Sequence, residues 1–168
     1  DPPDRYLARY ARIKRGGYRP IQPFATPVGS TSDITRRALR LAQRMYAAEV
    51  TYIDAWLGRF LRRLDELALS NTWVVVLSDH GVMLGEHGLI GKSSSLIYSE
   101  LLDVPFMIRH PQGVGAGRRS SYFASAHDVA PTLLKALGAP VPRPMEGADL
   151  RPLMGGGRAR GGSLWSGA

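Results

Sequence analysis

Residues 72–77 read Thr-Trp-Val-Val-Val-Leu, and this short unbroken run constrains the fold more than any other stretch of the chain. A strand with one face in water alternates apolar with polar residues. A continuous β-branched run of this length is how a strand covered on both faces reads. Ser70-Asn71 separates it from a helical pattern on its amino side, and Ser78-Asp79-His80-Gly81 closes it on the other. Thr31-Ser32-Asp33 offers N-cap chemistry for that helix. Its apolar positions Tyr46, Val50, Ile53, Leu57, Phe60, Leu64 and Leu67 alternate four and three apart, which predicts one buried stripe. A continuous helix from Asp33 to Leu67 would span roughly 50 Å, so a break or early fraying is expected.

Beyond the strand, residues 78–95 read as a Gly-rich loop, Leu96–Leu102 as a short helix and Val104–Arg109 as a second buried strand. After a turn-rich loop at 110–119, His127–Leu137 reads as a helix closed by Gly138 and Pro140. Glu146–Met154 has room for one further helical turn. Residues 1–30 are an irregular lead-in, broken at Gly16-Gly17, Pro20, Pro23 and Pro27. Residues 31–154 carry the domain, and 155–168 form a Gly-rich tail. Helix, strand, helix, strand, helix is α/β patterning. Two strands do not make an α/β sheet, so the expectation is an incomplete sheet from a truncated chain. The polar start at Asp1, with no signal-peptide pattern, and the Gly-rich finish both read as cut ends.

Composition narrows the class. A chain of 168 residues with 44% hydrophobic and 21% charged residues is globular and one domain in size. No apolar run reaches the roughly 20 residues needed to span a bilayer. The net charge of +8 comes almost entirely from arginine, since only Lys14, Lys92 and Lys135 are lysines. The arginines are spread over the lead-in, one helix and the tail, with no aromatic-plus-basic motif, which argues against a nucleic-acid partner. They read as a solvated or partner-facing surface. The absence of cysteine excludes disulfides and thiolate ligands while leaving the compartment open.

The stretch that carries chemistry is VVVLSDHGVMLGEHGLIGK, residues 74–92. Asp79 and His80 stand just past the carboxyl end of the predicted strand, where α/β sheets open their ligand crevice. Neighbours on an extended strand point to opposite faces, so gripping one cation requires the chain to turn there, and Gly81 permits the turn. A carboxylate beside a neutral imidazole suits a divalent metal. Lys92 is the only lysine between Lys14 and Lys135. Glu86 and His87 either buttress the loop or face a substrate; buttressing is favoured, and His87 stays a candidate catalytic residue. Asp128 reads as the N-cap of its helix. His110 and His127 read as bland surface histidines, and Trp56 as a core or domain-contact aromatic.

The string S-D-H-G-x-x-L-G-E-H-G-x-x-x-K resembles the metal loop of sulfatases in the alkaline phosphatase superfamily. The resemblance extends through RMYAAEVTYIDAWLGRFLRRLDELALSNTWVVVLSDHG, LLDVPFMIRHP and HDVAPTLLKALGAPVPRPMEGADLRPLM, over roughly residues 40–154. It is nearest to the branch with Asp-His at the metal, which includes iduronate-2-sulfatase-like and choline-sulfatase-like enzymes and phosphonate monoester hydrolases. It implies a partial sulfatase-like α/β sandwich, with Asp79 and His80 as metal ligands and Lys92 as the sulfate-binding lysine. Calcium is the implied ion. An imidazole ligand is unusual for so hard a cation and keeps manganese and zinc in play. The implied substrate is a sulfate-ester small molecule or a sulfated glycan.

The family's C/S-x-P-x-R motif, source of its formylglycine nucleophile, and its paired upstream aspartates are missing here. The formylglycine is therefore expected in an absent amino-terminal half. A phosphonate or phosphate-ester hydrolase of the same superfamily is the rival enzyme, and a non-catalytic anion-binding module is the rival of another class.

Overall fold

The computed structural model describes residues 2–10, 29–30, 32 and 34–159. The predicted breaks between Gly16 and Pro27, the cap residues Thr31 and Asp33, and the tail from residue 160 lie outside them. In chain order the helices are α1 (Asp4–Leu7), α2 (Arg36–Glu66), α3 (Ser99–Leu102), α4 (Val129–Ala136) and α5 (Arg151–Met154). The strands are β1 (Gly29–Ser30), β2 (Val74–Leu77), β3 (Met83–Leu84), β4 (Leu89–Gly91) and β5 (Phe106–Arg109). They divide into two compact units, residues 1–69 with 80–104, and residues 70–79 with 105–168.

In the first unit α2 runs unbroken for 31 residues. It starts later than the sequence suggests, because Thr35 is its cap: the Thr35 hydroxyl oxygen accepts the Ala38 N–H at 3.1 Å. α1, in the stretch read as irregular, packs on it through Tyr6, whose ring centroid lies 5.2 Å from that of Tyr52. Ala48, one turn before Tyr52, is fully buried. The covered side of α2 is therefore not the expected one. Tyr46, Val50, Ile53, Phe60 and Leu67 are all exposed, Ile53 at 62%. The four-and-three spacing detects an apolar face that is largely exposed among the described residues, although Leu57 and Leu64 are half-buried. Leu39 and Gln43, one heptad before Tyr46 and Val50, meet Gly85 and Leu84, and α1 packs on the other side.

Residues 83–91, read as loop, instead form a small antiparallel sheet. β3 pairs β4 with Met83 opposite Gly91, and β1 pairs β4 with Gly29 opposite Ile90. A 3₁₀ turn at Glu86–Gly88 joins β3 to β4, with Gly85 and Gly88 at φ of 115° and 70°. Glycine supplies those left-handed conformations without a Cβ penalty. α3 is a single turn, shorter than the helix expected from Leu96.

In the second unit β2 pairs antiparallel with β5, Val74 opposite Arg109 and Leu77 opposite Phe106. Val74, Val75 and Val76 are half-buried and Leu77 is 39% exposed. The two-sided cover that the VVVL run predicts is not supplied by the described residues. α4 follows a 3₁₀ turn at Ala126–Asp128 whose cap is Ser125. Asp128 is therefore not a simple N-cap. It sits three residues into a capping box, where its carboxylate accepts the Ser125 N–H at 2.8 Å and the Ala148 N–H at 2.7 Å. The Thr132 hydroxyl accepts the Leu150 N–H at 2.9 Å, so α4 and residues 148–150 are stitched by side chains. Gly147 allows the approach, because a Cβ there would stand 2.0 Å from the His127 carbonyl oxygen.

Asp149 pairs with Arg151, which also donates to the Lys135 carbonyl at 2.6 Å. Burial alone would raise the Asp149 carboxyl. Hydrogen bonds from Arg151, with the charges of Arg151 and Lys135, outweigh it and hold the group below the usual range.

Asp128→Ala should orphan two amide donors around a buried carboxylate and cost about 2–4 kcal/mol of stability. A urea unfolding series on the two proteins measures it. A loss under about 0.5 kcal/mol would show that these bonds contribute little.

Candidate active site

The site begins where β2 ends. The Ser78 N–H donates to the Pro105 carbonyl at 3.3 Å, carrying the strand one residue past Leu77. Asp79 follows and is exposed. The division between the two units falls between Asp79 and His80. In the first unit Gly81 donates its N–H to the Leu101 carbonyl at 2.9 Å. A Cβ on Gly81 would lie 1.9 Å from the Glu100 carbonyl oxygen. Its backbone is not left-handed, so close approach to α3, rather than turn freedom, is what requires glycine here.

His80 is half-buried and its two ring nitrogens have distinct partners. Nδ1 lies 2.8 Å from the Gly81 carbonyl oxygen, which can only accept, so Nδ1 carries the proton. Nε2 then presents its lone pair, and the Lys92 ammonium donates to it. Lys92 follows directly on β4, so the β3–β4 hairpin is what returns the chain to His80. The sequence reading put these two residues in one constellation, and the structure brings them into contact.

Glu86 and His87 brace the turn between the strands. The Glu86 carboxylate accepts the Leu84 N–H at 2.6 Å. His87 has φ of 53°, rare for a residue with a side chain. Its ring stacks on Tyr98 at 4.0 Å and 10°, and its Nε2 lies 3.4 Å from the Glu100 carboxylate. A backbone hydrogen bond first, and then the His87 imidazole, hold the Glu100 carboxyl below its ordinary range despite some desolvation. Tyr98 and Glu100 were not singled out in the sequence. The short S-E-L-L segment gives no motif for them, and only the fold brings them to His87.

Elsewhere, His110 meets the Trp73 ring at 4.4 Å and its Nδ1 accepts the Gln112 N–H at 3.1 Å, a local structural role. His127 is exposed. Trp56 carries the Arg59 guanidinium 4.8 Å from its ring centre.

The donor set suits part of a metal site. A neutral imidazole with its Nδ1 proton held by a carbonyl is the tautomer that an Nε2-bound cation needs. The Lys92 ammonium sits at that lone pair, so a cation already occupies the position a metal would contest. Among the described residues no group of three or more His, Cys, Asp or Glu could hold a metal ion.

The family model described as Sulfatase matches residues 3–139. The chain belongs to the sulfatase family. Among curated sulfatase relatives, it is 39% identical over 112 residues to an N-acetylglucosamine-6-O-sulfatase of Bacteroides thetaiotaomicron, covering 66% of this chain and 20% of the relative. It is 34% identical over 125 residues to an arylsulfatase of Clostridium perfringens, covering 72% of this chain and 26% of that one. The multifunctional alkaline phosphatase superfamily protein PehA of Trinickia caryophylli is 32% identical over 148 residues, covering 87% of this chain and 27% of PehA. A solved structure, BT4656 in complex with its substrate D-glucosamine-2-N,6-O-disulfate, matches with a TM-score of 0.65 and 35% identity, over 76% of this chain and 25% of that one. The chain thus spans a fifth to about a quarter of the length of these sulfatase-family proteins, and its mixed helices and small sheets are a partial α/β sulfatase fold.

Proposed function

We propose that this chain is part of a metal-dependent sulfatase that cleaves sulfate esters with water. In this reading Asp79 and His80 are two ligands of a single divalent cation, Lys92 holds the sulfate oxygens, and a formylglycine nucleophile comes from outside this chain. The observation that carries it is the His80–Lys92 contact with His80 held as its Nδ1–H tautomer. The same residues would otherwise be an unrelated surface lysine and loop histidine.

The bound metal, calcium first and manganese or zinc as alternatives, would supply Lewis acidity to a sulfate oxygen. The rest falls to this chain. Asp79 contributes an anionic oxygen ligand, and the Gly81 carbonyl keeps the His80 lone pair on Nε2. With a metal on that lone pair the Lys92 ammonium would be released from His80, leaving a compact charge beside it suited to the negative charge that grows on a sulfuryl group. Stacking on Tyr98 and the contact with the Glu100 carboxylate keep the His87 turn in place, so His87 positions the loop that carries Lys92.

The relatives that act on or bind sulfated glucosamines favour an amino-sugar sulfate as the substrate. The resemblance to PehA over 87% of the chain favours a second reading, a phosphonate or phosphate-ester hydrolase. The test assays a longer protein containing residues 1–168 on matched sulfate, phosphonate and phosphate esters. Highest kcat/KM on the sulfate is expected, with no turnover by the 168-residue chain alone above a metal-only blank. Preference for the phosphonate would replace the sulfatase reading by the second one. Anion binding without turnover would leave only a binding module.

A further inference from the structure

We infer that Arg36, Arg37, Arg40 and Arg44 on α2 form a docking stripe for a polymeric sulfated glycan, gripping the chain beyond the ester that is cleaved. This rests on the sulfate-ester reading of the loop and extends it from the reacting group to the size of the substrate.

Three observations carry it. All four arginines are exposed, and among the described residues no hydrogen bond or ion pair ties them down. No acidic residue stands between Arg36 and Ala48, the first on the helix being Glu49. Arg36, Arg40 and Arg44 follow each other one turn apart, about 6 Å of rise per step, with Arg37 beside them. Like charges at that spacing destabilise a helix, and cations near its amino end oppose the helix dipole. The first turn of α2 carries no acid to offset them. A sequence that breaks both local rules on one stripe points to a ligand that repays the conflict.

The second observation is position. Leu39 packs so closely on Gly85 that a Cβ there would stand 2.9 Å from its Cδ2. The Gln43 amide donates to the Leu84 carbonyl at 2.8 Å. Arg40 and Arg44 each come one residue later, about 100° around the helix. The stripe therefore runs along the flank of the helix next to the segment that joins His80 to Lys92.

The third is chemical type. Guanidinium forks match sulfate oxygens two at a time, and all four positions are arginine in a region without lysine. Single-stranded nucleic acid is the competing polyanion, but its binding sites interleave aromatic side chains for base stacking. Residues 36–44 contain no aromatic.

The test measures binding of a labelled sulfated octasaccharide and the matching disaccharide to the purified chain by fluorescence anisotropy across a salt series. Changing all four arginines to glutamine should weaken octasaccharide binding by about tenfold or more. It should also flatten the slope of log affinity against log salt by about 3, as expected for four lost ionic contacts on a single-stranded polyanion. Disaccharide binding should barely change. A control with Arg62, Arg118, Arg119 and Arg143 changed to glutamine loses the same net charge and should bind like wild type. Circular dichroism checks that α2 survives, and Arg40→Gln with Arg44→Gln alone serves if it does not. Equal loss in the control, or an oligonucleotide of matched charge binding as tightly as the octasaccharide, would overturn the stripe. Lys92→Ala should weaken disaccharide binding while the stripe's share of the octasaccharide salt slope persists, so the stripe and the ester site can fail separately.

Discussion

Lys92→Ala, introduced into a longer protein that hydrolyses sulfate esters, is expected to slow turnover by about 10²–10³, the scale of losing one electrostatic stabiliser of a transition state. The ammonium lies against His80 Nε2, not out in solvent. In the sulfatase reading its charge would act most as the sulfuryl oxygens gain charge, so kcat should fall more than KM rises. Lys92→Arg should rescue poorly. A planar fork differs from a point ammonium in reach and geometry. Metal content should stay near wild type if, as proposed, Lys92 is not a ligand. Steady-state kinetics with metal analysis on both variants decide the matter, and an unchanged Lys92→Ala enzyme would return the residue to an ordinary surface lysine.

What could be read from the sequence was whatever is local. The β2 run, the 31-residue helix and the Asp-His-Gly segment after the strand all stand where residue pattern places them. β3 and β4 did not show, because strands of two and three residues are too short to display a period of two. Their signal was the glycine punctuation at 85 and 88, which reads equally well as loop. The α2 stripe failed differently. Periodicity reports which face is apolar, not which face finds a neighbour among the described residues, and α1 covers the face bearing Ala48 and Tyr52. Asp128 was placed on the right turn but given too small a part, since its second partner, Ala148, lies 20 residues away. The Ser125–Asp128 box was legible as S-x-x-D and overlooked. Within the candidate site, Asp79, His80 and Lys92 came from the motif, whereas the Tyr98 and Glu100 braces on His87 depend on α3 folding back toward Gly81.

Asp79→Ala should remove metal and activity together, and its readout need not pass through catalysis. A cation that binds only the folded protein stabilises it by RT ln(1 + [L]/Kd), about 2.7 kcal/mol at one hundred times Kd. The longer wild-type protein should therefore show a calcium-dependent rise in Tm that the variant lacks. Asp79→Asn separates charge from geometry. It keeps one oxygen donor but not the anion, so it should retain a weakened shift at high calcium, and recovery with manganese or zinc would mark a softer preference at the imidazole. His80→Ala should lose or weaken the metal-dependent shift, since the imidazole is the second proposed ligand. Lys92→Ala, by contrast, should keep the full thermal shift while losing rate. If Asp79→Ala bound calcium with wild-type stoichiometry and an undiminished rise in Tm, the carboxylate would be no ligand, and the single-metal reading of the Asp-His pair would go with it.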